Sequence, residues 1–143
     1  MITIDDTSWP VLTVSFTGKN SPQEFNAYLA RMTEYLRRGV RHAVILDSRD
    51  LAATPTLEQR QRQVDWIQAN TPALRQWSLG NAFVITSPFI RLAMNIMYQL
   101  QPLPTPHTVV GDIKMARTWV DGRFRAVGLP PPPEVPVGRR GSG

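Results

Sequence analysis

The sequence predicts an α/β fold whose elements follow one another in the order ββαβαβαβα. Short apolar runs typical of strands alternate with longer segments in which apolar residues recur every three or four positions. A Ser, Thr or Asp stands at the start of each helical segment, as expected of an N-cap. Because right-handed crossovers make helix-linked strands parallel, we expect a mixed, mainly parallel sheet flanked by about four helices.

The first half of the chain predicts two strands, a helix and a third strand. Residues 1–5 and 11–17 are the strands, and the break between them predicts a hairpin. Ser21 and the acid three residues later form a capping box, and Gly39 ends the helix as a left-handed cap. Residues 42–47 contain the continuous apolar run Ala-Val-Ile-Leu, which predicts a central strand covered on both faces.

The second half continues the alternation. Thr56 opens a second capping box, and Pro72 is expected to kink or split the polar helix that follows. The predicted buried face of that helix comprises Leu57, Val64, Ile67 and Leu74. Residues 81–86 predict a buried strand, residues 107–110 predict the last strand, and Asp112 caps a final helix.

The third helix, opened by Ser87, has far more apolar surface than one core-facing stripe requires. Its apolar sector is ~240° wide at 100° per residue, where an ordinary stripe needs about 100°. One coherent apolar face comprises Phe89, Leu92, Ala93, Ile96 and Leu100. A second apolar row comprises Ile90, Met94 and Tyr98, and the polar row comprises Arg91, Asn95 and Gln99.

We expect the five-residue face to cover the sheet and the second row to bind a partner. That prediction assigns partner binding to Ile90, Met94 and Tyr98. Cover by a long loop or by the C-terminal tail within the monomer is the structural alternative. A membrane surface is disfavoured, because the polar row offers only Arg91 as a cation.

Composition limits the remaining possibilities. The 143 residues suffice for one domain, predicted over residues 1–128 and followed by a flexible Pro-rich tail at 129–143. The chain has no cysteine, which excludes disulfides and thiolate chemistry. No stretch approaches the roughly 18 unbroken apolar residues of a membrane span, and the N-terminal residues lack the pattern of a signal peptide. We therefore expect a cytoplasmic protein without a transmembrane segment.

No residue pattern indicates an active site, a metal site or a cofactor. His42 and His107 are the only histidines, and neither has a ligand-spaced companion or a recognisable nucleophile. The net charge of +5 is spread along the chain, which disfavours nucleic-acid binding. The strand-to-helix loops should converge at one sheet edge, where Lys19 and Arg49 suggest an anion site. Alternatively, the hydroxyls of these loops only cap their own helices.

The chain resembles the STAS superfamily in four features. These are the element order, a strand that ends in Asp47, a loop to the capped helix at Thr56, and a closing strand followed by the helical segment Ala116-Arg117-Thr118-Trp119-Val120. The chain is most similar to the SpoIIAA-like (STAS/SEC14-type) bacterial branch over residues 1–128. The resemblance implies a protein-interaction module of partner-switching regulation, in which phosphorylation of a Ser at a helix start acts as the switch. Residues 51–57 occupy that position here but lack the Asp-Ser pair of the family.

Two functions follow as expectations. The first is a non-enzymatic interaction or regulatory module that docks an unidentified protein partner, or itself as a homodimer, through the third helix. Thr56, the hydroxyl at the matching helix start, is its candidate phosphorylation site, with a plain N-cap as the structural alternative. The second is a small-molecule or lipid carrier of the STAS/SEC14 type, in which the same helix lines an internal pocket.

Overall fold

A five-stranded sheet in the order β1-β2-β3-β4-β5 organises the molecule. The computed structural model describes residues 1–133. Strand β1 is antiparallel to β2, and all other neighbouring strands are parallel. The elements are β1 (Ile2–Ser8), β2 (Val11–Gly18), α1 (Pro22–Arg37), β3 (His42–Leu51), α2 (Leu57–Trp77), β4 (Ser78–Val84), α3 (Pro88–Leu100), β5 (His107–Val110) and α4 (Ile113–Ala126). The predicted ββαβαβαβα order and the mainly parallel sheet are confirmed.

The predicted caps position the helices. The Glu24 N–H donates to Ser21 Oγ at 3.1 Å, and the Glu24 carboxylate accepts from the Ser21 N–H at 3.1 Å. Thr56 and Gln59 form the same reciprocal pair at 3.1 and 3.2 Å. Gly39 ends α1 with a φ of +63°, a conformation that glycine adopts without steric cost. These local bonds satisfy helix-end donors that have no partner within the helix.

Helix α2 corrects two expectations. It continues through Pro72 to Trp77, so of the two effects expected of this proline, a kink or a split, the split does not occur. Leu57 does not join a buried face, because its side chain is 76% exposed. The first turn of α2 is held instead by Gln59, whose amide donates to the Asn20 carbonyl at 3.0 Å.

Each face of the sheet has its own apolar core. Helix α4 covers one face, where the buried cluster comprises Val11, Ala43, Ile45, Leu79, Ala82, Val84, Val110, Ala116, Val120 and Phe124. Helix α1 covers the other face, where the buried cluster comprises Leu12, Val14, Phe25, Tyr28, Met32, Tyr35, Val44 and Leu46. Strand β3 contributes alternate residues to both clusters, as expected of a central strand.

The segment after α4 remains packed on the domain. The Leu129 side chain packs against the α4-side cluster, and its N–H donates to the Phe124 carbonyl at 2.9 Å. The buried Arg117 guanidinium donates to Asp121 at 2.9 Å and to the Pro132 carbonyl. The packed chain therefore extends past the predicted boundary at residue 128. Residues 134–143 of the predicted tail lie outside the described residues.

Candidate functional site

The second apolar row of α3, which we expected to be free, faces the rest of the domain. Ile90, Met94 and Tyr98 are half-buried. The Tyr98 ring lies 5.6 Å from the Phe83 ring on β4 and 5.2 Å from the His107 ring on β5. The row therefore packs against the domain and is not the exposed face of α3; partner binding through Ile90, Met94 and Tyr98 stays a prediction.

The outer face of α3 (Phe89, Leu92, Ala93, Ile96 and Leu100) is the one that we expected to cover the sheet, and it is exposed. Phe89 is 75% exposed, Leu92 60%, Ile96 51% and Leu100 78%. The thirteen-residue helix lies beside the four-residue edge strand β5, so few sheet positions are available to it. No residue of α3 is fully buried, which leaves a continuous apolar stripe facing outward.

Helix α3 contains a single charged residue, Arg91, which belongs to the polar row beside the outer face. The outer face itself has no charged or hydrogen-bonding side chain. A surface of this kind favours apolar contact, because it neither attracts nor repels a partner by charge.

A cavity of about 60 Å³ lies on the sheet face covered by α1 and α2. We call it the α1–α2 cavity. Its polar lining comprises Tyr28, His42, Gln63, Ser78, Asn81, Tyr98 and Thr105. Apolar side chains of both helices and both central strands complete the wall, and no Asp, Glu, Lys or Arg lines it. Burial raises the pKa of Tyr28 and Tyr98, so both phenols remain protonated at neutral pH.

His42 lines this cavity and is only 2% exposed. Its ring stacks on Trp9 at 5.2 Å, and its Nδ1 lies 2.9 Å from the Val40 carbonyl. Burial lowers the pKa of His42 below its ordinary value of 6.5, and the bond to Val40 opposes this only in part. The neutral ring is therefore the native form near pH 7.

The lowered pKa predicts acid sensitivity. The unfolded chain binds a proton at His42 more readily than the folded chain, so stability is complete above about pH 6.5 and falls as the pH drops through that value. We expect the free energy of unfolding, measured by urea denaturation between about pH 5 and 8, to decrease toward low pH. His42→Gln should flatten this slope. An equal slope in the variant would show that other groups cause the acid sensitivity.

The loops at the carboxyl ends of the strands converge as expected. The Ala52 N–H donates to the Gly18 carbonyl at 3.1 Å, and the Ile85 N–H donates to the Val110 carbonyl at 2.9 Å. Of the two cations predicted for an anion site, Arg49 is already paired, because it binds Asp47 at 2.8 Å, whereas Lys19 is exposed.

The charges that act on Arg49 at this edge are acidic. Asp50 and Asp112 also act on the Arg49 guanidinium, whose hydrogen bond lowers the pKa of the Asp47 carboxyl. Arg49 is therefore not free to bind an anion. Thr56 is exposed beside this edge and serves as the N-cap of α2; its phosphorylation stays a prediction.

Ser78, Asn81 and Thr105 of the cavity were not anticipated from the sequence. The sequence contained only a weak indication of them. Ser78 and Asn81 precede the apolar run of β4, at positions where a strand covered on both faces normally has apolar side chains. Thr105 lies in the loop between α3 and β5, and only the fold brings it to Asn81, whose amide donates to its hydroxyl at 3.3 Å.

No family model matches this sequence, and no curated protein matches it. Among solved structures, the chain is similar to an uncharacterised protein of the DUF3478 family with a SpoIIAA-like fold from Shewanella loihica PV-4. The TM-score is 0.63, the sequences are 12% identical, and the match covers 84% of this chain and 92% of that chain. The chain therefore has a SpoIIAA-like fold, as the resemblance implied. Within residues 1–133, no helix has the length and apolar character to cross a bilayer.

Proposed function

We propose that this SpoIIAA-like domain is a non-enzymatic protein-interaction module that docks a second copy of the same chain through the outer face of α3. One observation carries the proposal: Phe89, Leu92, Ile96 and Leu100 each expose more than half of their surface on one helix face. Monomeric proteins rarely leave a contiguous apolar stripe of this kind uncovered.

The symmetry of the stripe favours self-association. About a two-fold axis, two antiparallel copies of the outer face place Phe89 opposite Leu100 of the second copy, and Ala93 opposite its Ile96. The small Ala93 lets the two helices approach closely at the centre, while the larger side chains pack toward both ends. The two Arg91 side chains then lie at opposite ends of the helix pair, so their charges do not meet.

The apolar burial expected in the dimer is comparable in free energy with the cost of association. Burying a large apolar side chain fully stabilises by about 1.5–3 kcal/mol, so eight half-exposed side chains contribute on the order of 10 kcal/mol. The loss of translational and rotational freedom on association costs about 4–15 kcal/mol. The outer face is thus the part of the described surface best suited to hold two copies together.

The non-enzymatic part of the proposal is supported by the surroundings of the two histidines. His42 bonds to a backbone carbonyl, and His107 packs against the rings of Phe83 and Tyr98. Within residues 1–133, neither histidine bonds to a hydroxyl or a carboxylate that would make it a catalytic base. The carrier alternative is less favoured, because an apolar cavity that holds benzene measures ~150 Å³. The α1–α2 cavity is smaller, at about 60 Å³.

Light scattering coupled to size exclusion tests the proposal. We expect the unmodified chain to be a dimer. The double variant Leu92→Asp, Ile96→Asp is expected to be a monomer, because dimerisation would bury two carboxylates of each copy against apolar side chains. Asn95→Asp with Gln99→Glu is the matched control: it adds the same charge to the polar row of the same helix and should leave the dimer intact.

Circular dichroism should show the same helix content for all three proteins. A monomeric unmodified chain, or a dimer that survives the Leu92 and Ile96 substitutions, contradicts the proposal. If the monomeric chain instead binds anionic vesicles through this face, the occupant is a membrane and the proposal is wrong.

A further inference from the structure

Arginines that are spread along the sequence meet at one edge of the sheet, where strands β2 to β5 begin. Helices α1 and α2 end at this edge, before β3 and β4. Helix α4 ends there as well, since Arg123 in its last turn donates to the Leu79 carbonyl at the start of β4 at 3.2 Å. We call this edge the amino edge. Its arginines are Arg37, Arg38, Arg41, Arg75, Arg123 and Arg125.

The amino edge carries positive charge that ion pairs do not neutralise. Within residues 1–133, none of its arginines forms an ion pair, and all of them except Arg123 are exposed. Asp6 on β1 accepts from the Tyr35 hydroxyl at 2.9 Å instead of pairing with an arginine. Charge complementarity therefore favours an anionic partner with several charges.

A groove of about 400 Å³ opens at the amino edge between the C-terminal ends of α1 and α2. We call it the Trp77 groove. Its lining comprises Thr33, Leu36, Arg37, Gly39, Asn70, Ala73 and Trp77. The groove thus joins one of the exposed arginines to an aromatic ring.

The Trp77 ring is free to receive a flat ligand. Trp77 is only half-buried, and among the described residues its ring stacks on no other ring and its indole N–H has no acceptor. The absence of a side chain at Gly39 keeps the ring open, because a Cβ atom there would lie 3.5 Å from its Cζ2 atom. The other three tryptophans are engaged: Trp9 stacks on Tyr35, Trp66 donates to Thr33, and Trp119 lies beneath Arg123.

We propose that the amino edge binds single-stranded nucleic acid, with one base stacked on Trp77 and the adjoining phosphates bound by Arg37, Arg38 and Arg41. An aromatic ring stacks with any base, and the planar guanidinium binds phosphate oxygens in pairs. The site is separate from the outer face of α3 and does not depend on self-association.

A membrane is the less suitable polyanion. Binding to a bilayer surface requires large apolar side chains among the cations. Among the described residues, the exposed apolar side chains of this edge are the small Val40 and Val127, whereas Phe89 and Leu92 lie on α3. A nucleic acid needs only phosphate contacts and a surface for stacking, and the amino edge has both.

Fluorescence anisotropy of a labelled thymidine strand of about eight nucleotides tests the proposal on the full chain. At roughly 50 mM salt we expect saturable binding with a dissociation constant of about 1–100 μM. The logarithm of the affinity should fall with the logarithm of the salt concentration with a slope of about −2, the value for three neutralised phosphates. A duplex of equal length should bind more weakly, because its bases are already stacked.

Paired substitutions locate the phosphate contacts. Arg37→Gln with Arg41→Gln should weaken binding at least tenfold and bring the salt slope to about −0.7. Lys19→Gln with Arg60→Gln is the matched control, because both side chains are exposed at the opposite edge and carry the same charge. The control should leave the affinity and the salt slope unchanged.

Substitution of Trp77 measures the stacking. Trp77→Leu should weaken binding about tenfold, the effect of one lost base stack, while Trp77→Phe should retain most of the affinity. If Trp77→Leu fails to fold, the duplex comparison and the paired arginine variants still decide the question.

Three groups of outcomes overturn the proposal. No saturable binding up to about 100 μM of the chain would show that the edge does not hold nucleic acid. Equal affinity for the duplex, or an unchanged affinity in Trp77→Leu, would show that no base stacks on Trp77. Equal losses in the two paired variants, or equal affinity for polyglutamate or phosphatidylserine vesicles, would describe attraction by net charge without a nucleic-acid site.

Discussion

Gly80→Ala is expected to destabilise the protein by several kcal/mol. Gly80 has a φ of +147°, which residues with a side chain rarely adopt, and such backbone strain costs about 1–3 kcal/mol. A Cβ atom there would also lie 2.6 Å from the Trp119 ring and 2.9 Å from the Pro106 carbonyl oxygen. Relieving that overlap costs about 1–3 kcal/mol more.

The position of Gly80 explains the expected size of the effect. The pairing of β3 with β4 shifts by one residue there, since His42 pairs with Ser78 and Ala43 with Gly80. The Trp119 ring of α4 packs over this irregularity, and the Arg123 guanidinium donates to the Leu79 carbonyl at 3.2 Å. The substitution therefore disturbs both strand β4 and the packing of α4 against it.

Urea denaturation measures this effect, with Gly122→Ala as the control. Gly122 lies inside α4, and a Cβ atom there would meet nothing within 4 Å. The control should stabilise by about 0.5–1 kcal/mol, because alanine is the better helix former. A loss below about 1 kcal/mol in Gly80→Ala would mean that β4 and Trp119 adjust without strain.

Phe124→Ala is expected to cost about 3–5 kcal/mol, the usual range for truncating a buried aromatic residue. Phe124 is 1% exposed and packs with Val120 and the residues of β4 in the α4-side core. Its carbonyl also accepts the Leu129 N–H, and Leu129 packs against the same cluster. The cavity left by the ring would therefore loosen the segment that follows α4 as well as the core.

Met115→Ala is the matched control on α4, since Met115 is 54% exposed and should lose less than about 1 kcal/mol. Thermal unfolding distinguishes Phe124→Ala from Met115→Ala, because a loss of about 3 kcal/mol in the free energy of unfolding lowers Tm by roughly 10 °C in a domain of this size. Equal Tm values would show that α4 contributes little to the stability of the fold.

The sequence was most informative where structure depends on neighbouring residues. Ser21, Thr56 and Asp112 cap the helices that they were expected to cap, and Gly39 ends α1 in the left-handed conformation. Each of these features involves residues within four positions of one another, so the local sequence contains all of the partners. Strand β3 is longer than the strand predicted over residues 42–47, because its pairing with β2 continues until Gly18 pairs with Leu51.

The candidate sites were less accessible to sequence reasoning. Apolar periodicity showed that α3 has two apolar rows, and it could not say which row faces the sheet, because both have suitable residues. The cavity was missed for a different reason. Its polar lining comes from distant parts of the chain: His42 and Ser78, for example, are 36 positions apart and carry no recognisable motif.

By itself, the sequence determined the order of the elements, their caps and the excess of apolar surface on the third helix, because periodicity and capping are local properties of the chain. Only the tertiary structure decided which row is inward. The Tyr98 ring packs between those of Phe83 and His107, and that contact rotates Ile96 and its neighbours outward. The physical reason is that burial depends on which side chain fills the space beside β5, and residues distant in sequence form that space.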